Sequence, residues 1–121
     1  MNKLLKPKLN QGVYVFVLID HIDGINEEDI LCSFKEDGRY SLILKKEFAN
    51  KYDMSYDFIA AWISLDLHSS LNSVGLTSLF SQALADNKIS CNVIAGFNHD
   101  HIFVNYEKKE LAMEILKRLK F

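Results

Sequence analysis

The sequence has little proline and glycine, with one proline and five glycines among its 121 residues. Disordered chains are rich in these residues and poor in apolar ones, whereas 49% of this chain is hydrophobic. The composition therefore indicates an ordinary globular protein. Its length suits one compact unit, or two very small ones sharing a core. Because a folded chain of this size buries roughly two-thirds of its unfolded surface, it needs neither a disulfide nor a structural metal for stability.

Cysteine is also scarce: Cys32 and Cys91 lie far apart and form neither a CxxC pair nor a metal-binding spacing. The sequence does not exclude a disulfide between them, but the pattern favours two reduced, half-buried thiols. The first residues carry Lys3, Lys6 and Lys8 but no apolar segment of the kind found in a secretory signal. We therefore expect a cytoplasmic protein.

Neither sign of charge dominates, since 14 basic residues face 16 acidic ones and the net charge is −2. This balance creates no strong field that would attract nucleic acid. The longest apolar runs have the length of a strand and fall far short of a membrane span. We therefore expect no nucleic-acid partner and no membrane partner.

The first half of the chain predicts several strands and one short helix. Both the odd and the even positions of 13–19 are apolar, which predicts a strand that is covered on both faces. The Asp37-Gly38 pair between two apolar segments predicts a hairpin. The predicted order is a strand over 13–19, an irregular segment over 20–29, strands over 30–35 and 40–46, and a helix over 47–52.

The second half shows clearer changes of period. The predicted order is a strand over 57–68, a polar loop over 69–75, a helix from Leu76 to a left-handed C-cap near Asn87, strands over 89–97 and 102–106, and a helix over 107–120. The predicted core residues are Ile59, Ala61, Ile63, Leu65 and Leu67 on the first strand, Ile89, Cys91, Val93, Ala95 and Phe97 on the second, and Leu111, Ala112, Ile115, Leu116 and Leu119 on the last helix.

Both halves share one order of elements, with the first helix stunted in the first half. Two such βαββ(α) units predict an α+β, ferredoxin-like protein with antiparallel sheets and helices on one face. We place the units at 1–56, which is degenerate, and 57–121. Neither unit shows its own closing strand, so we expect 57–68 or a neighbouring chain to supply the missing pairings.

The segments 69–80, 83–85 and 89–93 together resemble an ACT domain. They combine a strand, a loop that leads to Gly75 at the start of a helix, a Leu-Ala pair in that helix, and Ile89-Ser90-Cys91-Asn92 in the strand that follows. The chain as a whole resembles the small stand-alone bacterial proteins with tandem ACT-like repeats. The match is close over 57–106 and loose over 13–56.

This resemblance implies regulation and no catalytic residues or cofactor. ACT units typically bind an amino acid or a similar small effector at an inter-unit or inter-subunit interface, so a homo-oligomer is expected. Carried over by position, the ligand-binding residues are Ser69, Ser70, Leu71, Asn72, Ser73, Val74, Gly75, Leu76, Asn92 and Val93. The segment 20–29 departs from the family pattern, because it replaces an effector loop and a full helix.

The chemistry of these residues suits such a ligand. A helix N-terminus offers unpaired backbone N–H groups and a partial positive charge, which favour a carboxylate. Gly75 permits close approach of the backbone, and Asn92 offers both a donor and an acceptor to an α-amino group. The same Ser, Asn and Gly residues are also standard in a helix-entry loop that binds nothing. The alternative function is therefore a ligand-free interaction or oligomerisation module.

Three other groups of residues offer metal-ligating, aromatic or nucleophilic side chains. His99 and His101 fall on one face of a strand and could share a metal ion, but no third ligand has a convincing spacing, so no metal site is predicted. Trp62 and Phe58 lie opposite the core row, where they either pack within the chain or mark an oligomer interface. Cys91 with a distant histidine, or Ser69 and Ser70 beside His68, are the only nucleophile candidates. No oxyanion motif surrounds them, so we expect no enzyme.

Overall fold

A computed structural model describes residues 4–66 and 74–120. Its strands are β1 (Pro7–Leu9), β2 (Tyr14–Ile19), β3 (Ile30–Glu36), β4 (Arg39–Lys45), β5 (Ile59–Leu65), β6 (Asn92–Ala95) and β7 (Asp100–Asn105), and its helices are α1 (Lys46–Lys51), α2 (Leu76–Asp86) and α3 (Lys109–Arg118). Short 3-10 turns occupy Glu27–Asp29 and Tyr106–Lys108. One compact unit comprises 12–60, and the other combines the described residues of 61–121 with those of 1–11.

The unit 12–60 is built on an antiparallel arrangement in which β4 lies between β3 and β2. The hairpin between β3 and β4 is confirmed. Its two loop residues, Asp37 and Gly38, have φ values of 48° and 77°. A two-residue turn with positive φ at both positions matches the twist of its strands, which explains the Asp-Gly pair. The first residues of β5 pair with β2, with Tyr14 opposite Ala60.

The core of this unit lies under one face of its strands. Its buried residues alternate along β2 and β4 and meet Ala49 of α1: Val15, Val17, Leu42, Leu44 and Ala49. The segment 20–29 forms no α-helix, as predicted. The Tyr52 hydroxyl anchors this segment by donating to Asp29 Oδ2 at 2.7 Å and accepting from the Asn26 amide at 3.0 Å. A fixed turn therefore replaces the first helix.

The other unit contains β1, β5, β7 and β6 in that order, together with α2 and α3. Its core residues come from alternate positions of β5 and β7 and from the inner faces of both helices: Leu5, Ala61, Ile63, Leu65, Phe80, Leu84, Ile89, Ile102, Val104, Ala112 and Leu116. The alternation predicted along β5 is thus confirmed for Ala61, Ile63 and Leu65. No described helix has the length and apolar character that a membrane crossing requires.

The strand β1 was missed because Lys6-Pro7-Lys8 gives it no apolar alternation. Pro7 lies opposite Leu65, and Leu9 lies opposite Ile63. This antiparallel pairing supplies the closing strand of the second unit from the start of the chain. Residues 4–11 accordingly group with 61–120 in one compact unit.

The end of α2 corrects the predicted left-handed Asn87. Asn87 is the C-cap with φ of −104°, and the left-handed residue is Lys88, with φ of 60°. The Lys88 amide donates to Ala85 O at 2.9 Å and the Ile89 amide to Leu84 O at 3.0 Å. This is the Schellman pattern, in which the residue after the C-cap turns left-handed so that the next residue can return to the core.

Three predicted core residues are exposed. The hairpin that follows β6 begins at Gly96, whose amide donates to His99 O at 2.9 Å. Ala95 ends the strand, and Phe97 lies in the turn with 84% of its surface exposed. Leu111 precedes Ala112 by one residue, so the helical rotation of about 100° turns it away from the core while Ala112 and Leu116 face inward.

The left-handed lysine predicts a stabilising substitution. Glycine adopts positive φ without the steric cost that a Cβ adds, so Lys88→Gly should raise the free energy of unfolding by about 1 kcal/mol. Lys88→Ala is the matched control, because it removes the same side chain but keeps the Cβ and should bring no such gain. Urea denaturation of the three proteins measures the effect. Equal stability of the glycine and alanine variants would contradict the account.

Candidate functional site

Gly75 forms the N-cap of α2 and adopts a left-handed conformation, with φ of 94°. Among the described atoms beyond its chain neighbours, none lies within 4 Å of the point where a Cβ would stand. Its carbonyl accepts from the Leu79 amide at 3.1 Å and from the Ser78 hydroxyl at 2.9 Å. As far as the described residues show, the backbone at the start of α2 is therefore not covered by a side chain at Gly75.

The start of α2 is held in place by the helix's own packing. Phe80 and Leu84 are fully buried in the core, and Leu76 packs against it. The first turn contains no acidic residue. Glycine offers no side-chain oxygen to the first amides, which have no partner inside the helix. Within the described part of the chain, this end of α2 therefore presents its first amides and the positive end of the helix dipole without an acidic or N-cap side chain to compensate them.

Asn92 and Val93 begin β6 and point to opposite faces of the sheet. Val93 packs against the core beneath the helices. Asn92 is exposed, and its Nδ2 donates to the Phe103 carbonyl at 3.3 Å. The amide is thereby oriented by the neighbouring strand β7.

The predicted binding residues fall into two groups along the chain. Gly75 and Leu76 open α2, whereas Asn92 and Val93 follow its last residue, Asp86, and a helix of 11 residues is about 16 Å long. No described hydrogen bond joins the two groups. Val74 is 97% exposed. Ser69, Ser70, Leu71, Asn72 and Ser73 lie outside the described residues.

A polar network that the sequence analysis missed connects β5 to β7. Trp62 Nε1 donates to His101 Nδ1 at 3.1 Å, and Ser64 Oγ lies 2.9 Å from the same nitrogen. Asn10 Nδ2 donates to Ser64 Oγ at 2.9 Å. The indole N–H can only donate, so Nδ1 must accept and the neutral ring carries its proton on Nε2. The sequence signal for this network was the alternation of side chains along β5, which places Trp62 and Ser64 on the same face of the strand.

The histidine ring is enclosed as well as bonded. A Cβ on Gly96 would lie 3.2 Å from His101 Nε2 and 2.7 Å from His99 O, so only glycine fits there. Burial lowers the pKa of His101, and the neighbouring His99 lowers it further. His99 Nε2 lies 3.3 Å from Asp66 Oδ1. The described residues contain no cluster of three metal-ligating side chains.

The remaining candidates are held by packing. Trp62 stacks on Phe103, with ring centroids 6.3 Å apart, and Phe58 lies 6.0 Å from Phe16. Trp62 and Phe58 are both half-buried, and these ring contacts lie within the chain. Burial raises the pKa of the Cys91 thiol to about 11. That thiol stays protonated at neutral pH, which removes its nucleophilic form.

The network predicts how His101 titrates. A protonated Nδ1 would be a hydrogen-bond donor facing another donor, the Trp62 N–H. The pKa of His101 in the folded protein should therefore lie below its ordinary value of 6.5. The folded state then binds fewer protons than the unfolded state, and stability should fall as the pH drops through 6.5 towards the folded pKa. Trp62→Phe keeps an aromatic ring but removes the donor, and should raise the pKa. Histidine proton NMR measures both values, and a wild-type pKa at or above 6.5 would contradict the assignment.

Comparison with known proteins agrees with this geometry. Two family models described as ACT domain match residues 1–61 and 58–118. A search of curated proteins gave no match. A Vibrio cholerae protein of unknown function, described as a possible transport protein, is 38% identical, with a TM-score of 0.85 over 92% of this chain and 86% of that one.

Two more distant structures share the fold. A protein from Agrobacterium tumefaciens is 17% identical, with a TM-score of 0.76 over 94% of this chain and 87% of that one. The regulatory subunit of aspartate kinase from Thermus thermophilus is 12% identical, with a TM-score of 0.63 over 94% and 97% of the two chains. The predicted α+β, ferredoxin-like fold is therefore confirmed. The chain belongs to the ACT-domain family and carries two such domains in tandem.

Proposed function

We propose that this protein is a cytoplasmic regulatory module that binds an amino acid or a similar small effector at the start of α2. The observation that carries the proposal is the left-handed Gly75 at the N-cap of an 11-residue helix, where no described atom beyond its chain neighbours lies within 4 Å of a Cβ position. Membership of the ACT family supports a regulatory, small-ligand role. Nothing in the described site suggests chemistry on the ligand.

The start of α2 suits the carboxylate of an effector. Unpaired first-turn amides and the helix dipole both favour a negative group. The absence of an acidic residue in the first turn leaves that charge uncompensated. Because Gly75 has no Cβ, a ligand can approach its backbone directly. Ser69, Ser70, Leu71, Asn72 and Ser73 are proposed to complete this half of the site, together with Val74 and Leu76.

Asn92 and Val93 are proposed to contribute from a second copy of the chain. They lie beyond the far end of α2, so one small ligand would not span both groups within one unit. A homo-oligomer that sets β6 of one copy against α2 of another would bring them together. A ligand bound at such a site stabilises the assembled form by about 2.7 kcal/mol at a hundredfold excess over its Kd.

A ligand-free interaction module is the second candidate, and one apolar surface favours it. Leu18 of β2 lies opposite Ser41 of β4, which lies opposite Phe34 of β3. Leu18 and Phe34 therefore share the sheet face that points away from the core of 12–60, and they are 48% and 71% exposed. Such a face fits association with a protein partner.

A thermal-shift screen of the twenty amino acids separates the two candidates. A cognate amino acid at a hundredfold excess over its Kd should raise Tm by roughly 10 °C for a domain of this size. Gly75→Ala should abolish this shift, because its Cβ would fill the space beside the backbone. Gly24→Ala is the matched control, since Gly24 also has positive φ, at 82°, and open surroundings. Both variants carry the same backbone cost, but only the first blocks the site.

Asn92→Ala tests the second half of the site and should weaken the shift without removing the helix-bound carboxylate. Sedimentation of the protein with and without the amino acid should show a larger fraction of assembled chains in its presence. If no amino acid shifts Tm and the protein is nevertheless a stable oligomer, the interaction module is the better account. A shift that survives Gly75→Ala would rule out the α2 site.

A further inference from the structure

The unit 12–60 contains a cavity of about 350 Å³ that shares no residue with the α2 site. It is lined by Gly12, Val13, Lys45, Lys46, Glu47 and Asn50. This volume falls at the small end of the range for ligand pockets. The cavity therefore has room for a small metabolite.

The walls of the cavity are fixed by contacts within the unit. The Lys46 amide donates to Val13 O at 2.8 Å, which ties the end of β4 to the residue before β2. Gly12 has φ of 113°, and a Cβ there would lie 3.2 Å from the Tyr14 ring. Tyr14 is only 4% exposed. These contacts fix the backbone of Gly12, Val13 and Lys46, three residues of the lining.

The charges in the lining are not neutralised by the rest of the unit. The lining residues include two lysines, Lys45 and Lys46, and one glutamate, Glu47. Within residues 4–66 and 74–120, neither lysine nor Glu47 forms an ion pair. Cations that line a concave surface without a partner favour an anionic ligand.

Asn50 adds a directed hydrogen bond. Its Oδ1 accepts from the Tyr56 hydroxyl at 2.8 Å, so the group it can offer to a ligand is the Nδ2 donor. Three of the six lining residues, Lys45, Lys46 and Asn50, thus carry side-chain donors. Glu47 contributes an acceptor, which requires a donor on the ligand.

We propose that this cavity binds a small carboxylate that carries a hydrogen-bond donor beside its acid group. The two lysines and Asn50 hold the carboxylate, and Glu47 accepts from the donor, which is a hydroxyl or an ammonium group. The degenerate unit would then hold a ligand of its own, by residues that the α2 site does not use. If experiments rule out binding at one of the two sites, the proposal for the other site still stands.

Calorimetry on the full chain with succinate, malate and aspartate tests this proposal. The three molecules share one carbon skeleton, and malate adds a hydroxyl where aspartate adds an ammonium group. We expect malate or aspartate to bind at least several-fold more tightly than succinate, which lacks the donor. Tighter binding of malate would identify the ligand's donor as a hydroxyl, and tighter binding of aspartate would identify it as an ammonium group.

Variants assign that binding to the cavity. The double variant Lys45→Met with Lys46→Met should raise the Kd of the preferred acid about tenfold or more, because charged hydrogen bonds are lost. Lys35→Met, an exposed lysine of β3 outside the cavity, is the control and should leave the Kd unchanged. Glu47→Gln should reduce the preference over succinate. Gly75→Ala should have no effect, which separates this site from the α2 site.

Three results would overturn the proposal. They are the absence of saturable binding by all three acids at millimolar concentration, equal affinity for succinate and its two substituted forms, and a Kd that the double lysine variant does not change. Circular dichroism melting of each variant shows whether it is folded. Glu47→Gln, which removes one charge and keeps the shape, remains informative if the double lysine variant unfolds.

Discussion

The alternation of side chains along β5 is the constraint on which most of the second unit depends. Ala61, Ile63 and Leu65 point to one face and lie in the core beneath α2 and α3. The residues between them, Trp62 and Ser64, must then point to the other face. There they meet His101 of β7. A single strand thus fixes both the helical layer and the polar network, and a shift of one residue would destroy both.

The same core positions the proposed effector site. Phe80 and Leu84 are buried on α2, and Ile89 returns to the core directly after the Schellman turn. That turn requires a left-handed residue. Lys88 therefore adopts positive φ, which is unfavourable for a residue with a Cβ, and this directs Ile89 into the core. The packing of α2 thus places Gly75 and the first-turn amides at the start of a helix that is anchored in the core. Backbone donors have no side-chain rotamers to lose when a ligand binds, which favours recognition by the backbone.

Much of the fold could be predicted from the sequence, because period and turn chemistry are local. The Asp37-Gly38 hairpin and the buried row of β5 are examples. The strand β1 could not be predicted, since its pairing with β5 gives Pro7 and Lys8 no local signal. Leu111 and Phe97 were assigned to the core by their apolar character, whereas helical phase and a turn expose them. In the candidate site, the start of α2 could be predicted from the sequence. The contact between Trp62 and His101 could not be predicted, because it joins distant parts of the chain.

The central claim is that backbone amides at the start of α2 bind the effector's carboxylate. Amide NMR during titration with the amino acid that shifts Tm tests this claim most directly. The account predicts saturable chemical-shift changes at the amides of Gly75, Leu76 and Thr77, with one Kd, and a smaller change at Asn92. Saturable binding that leaves the amides of Gly75, Leu76 and Thr77 unshifted would contradict it.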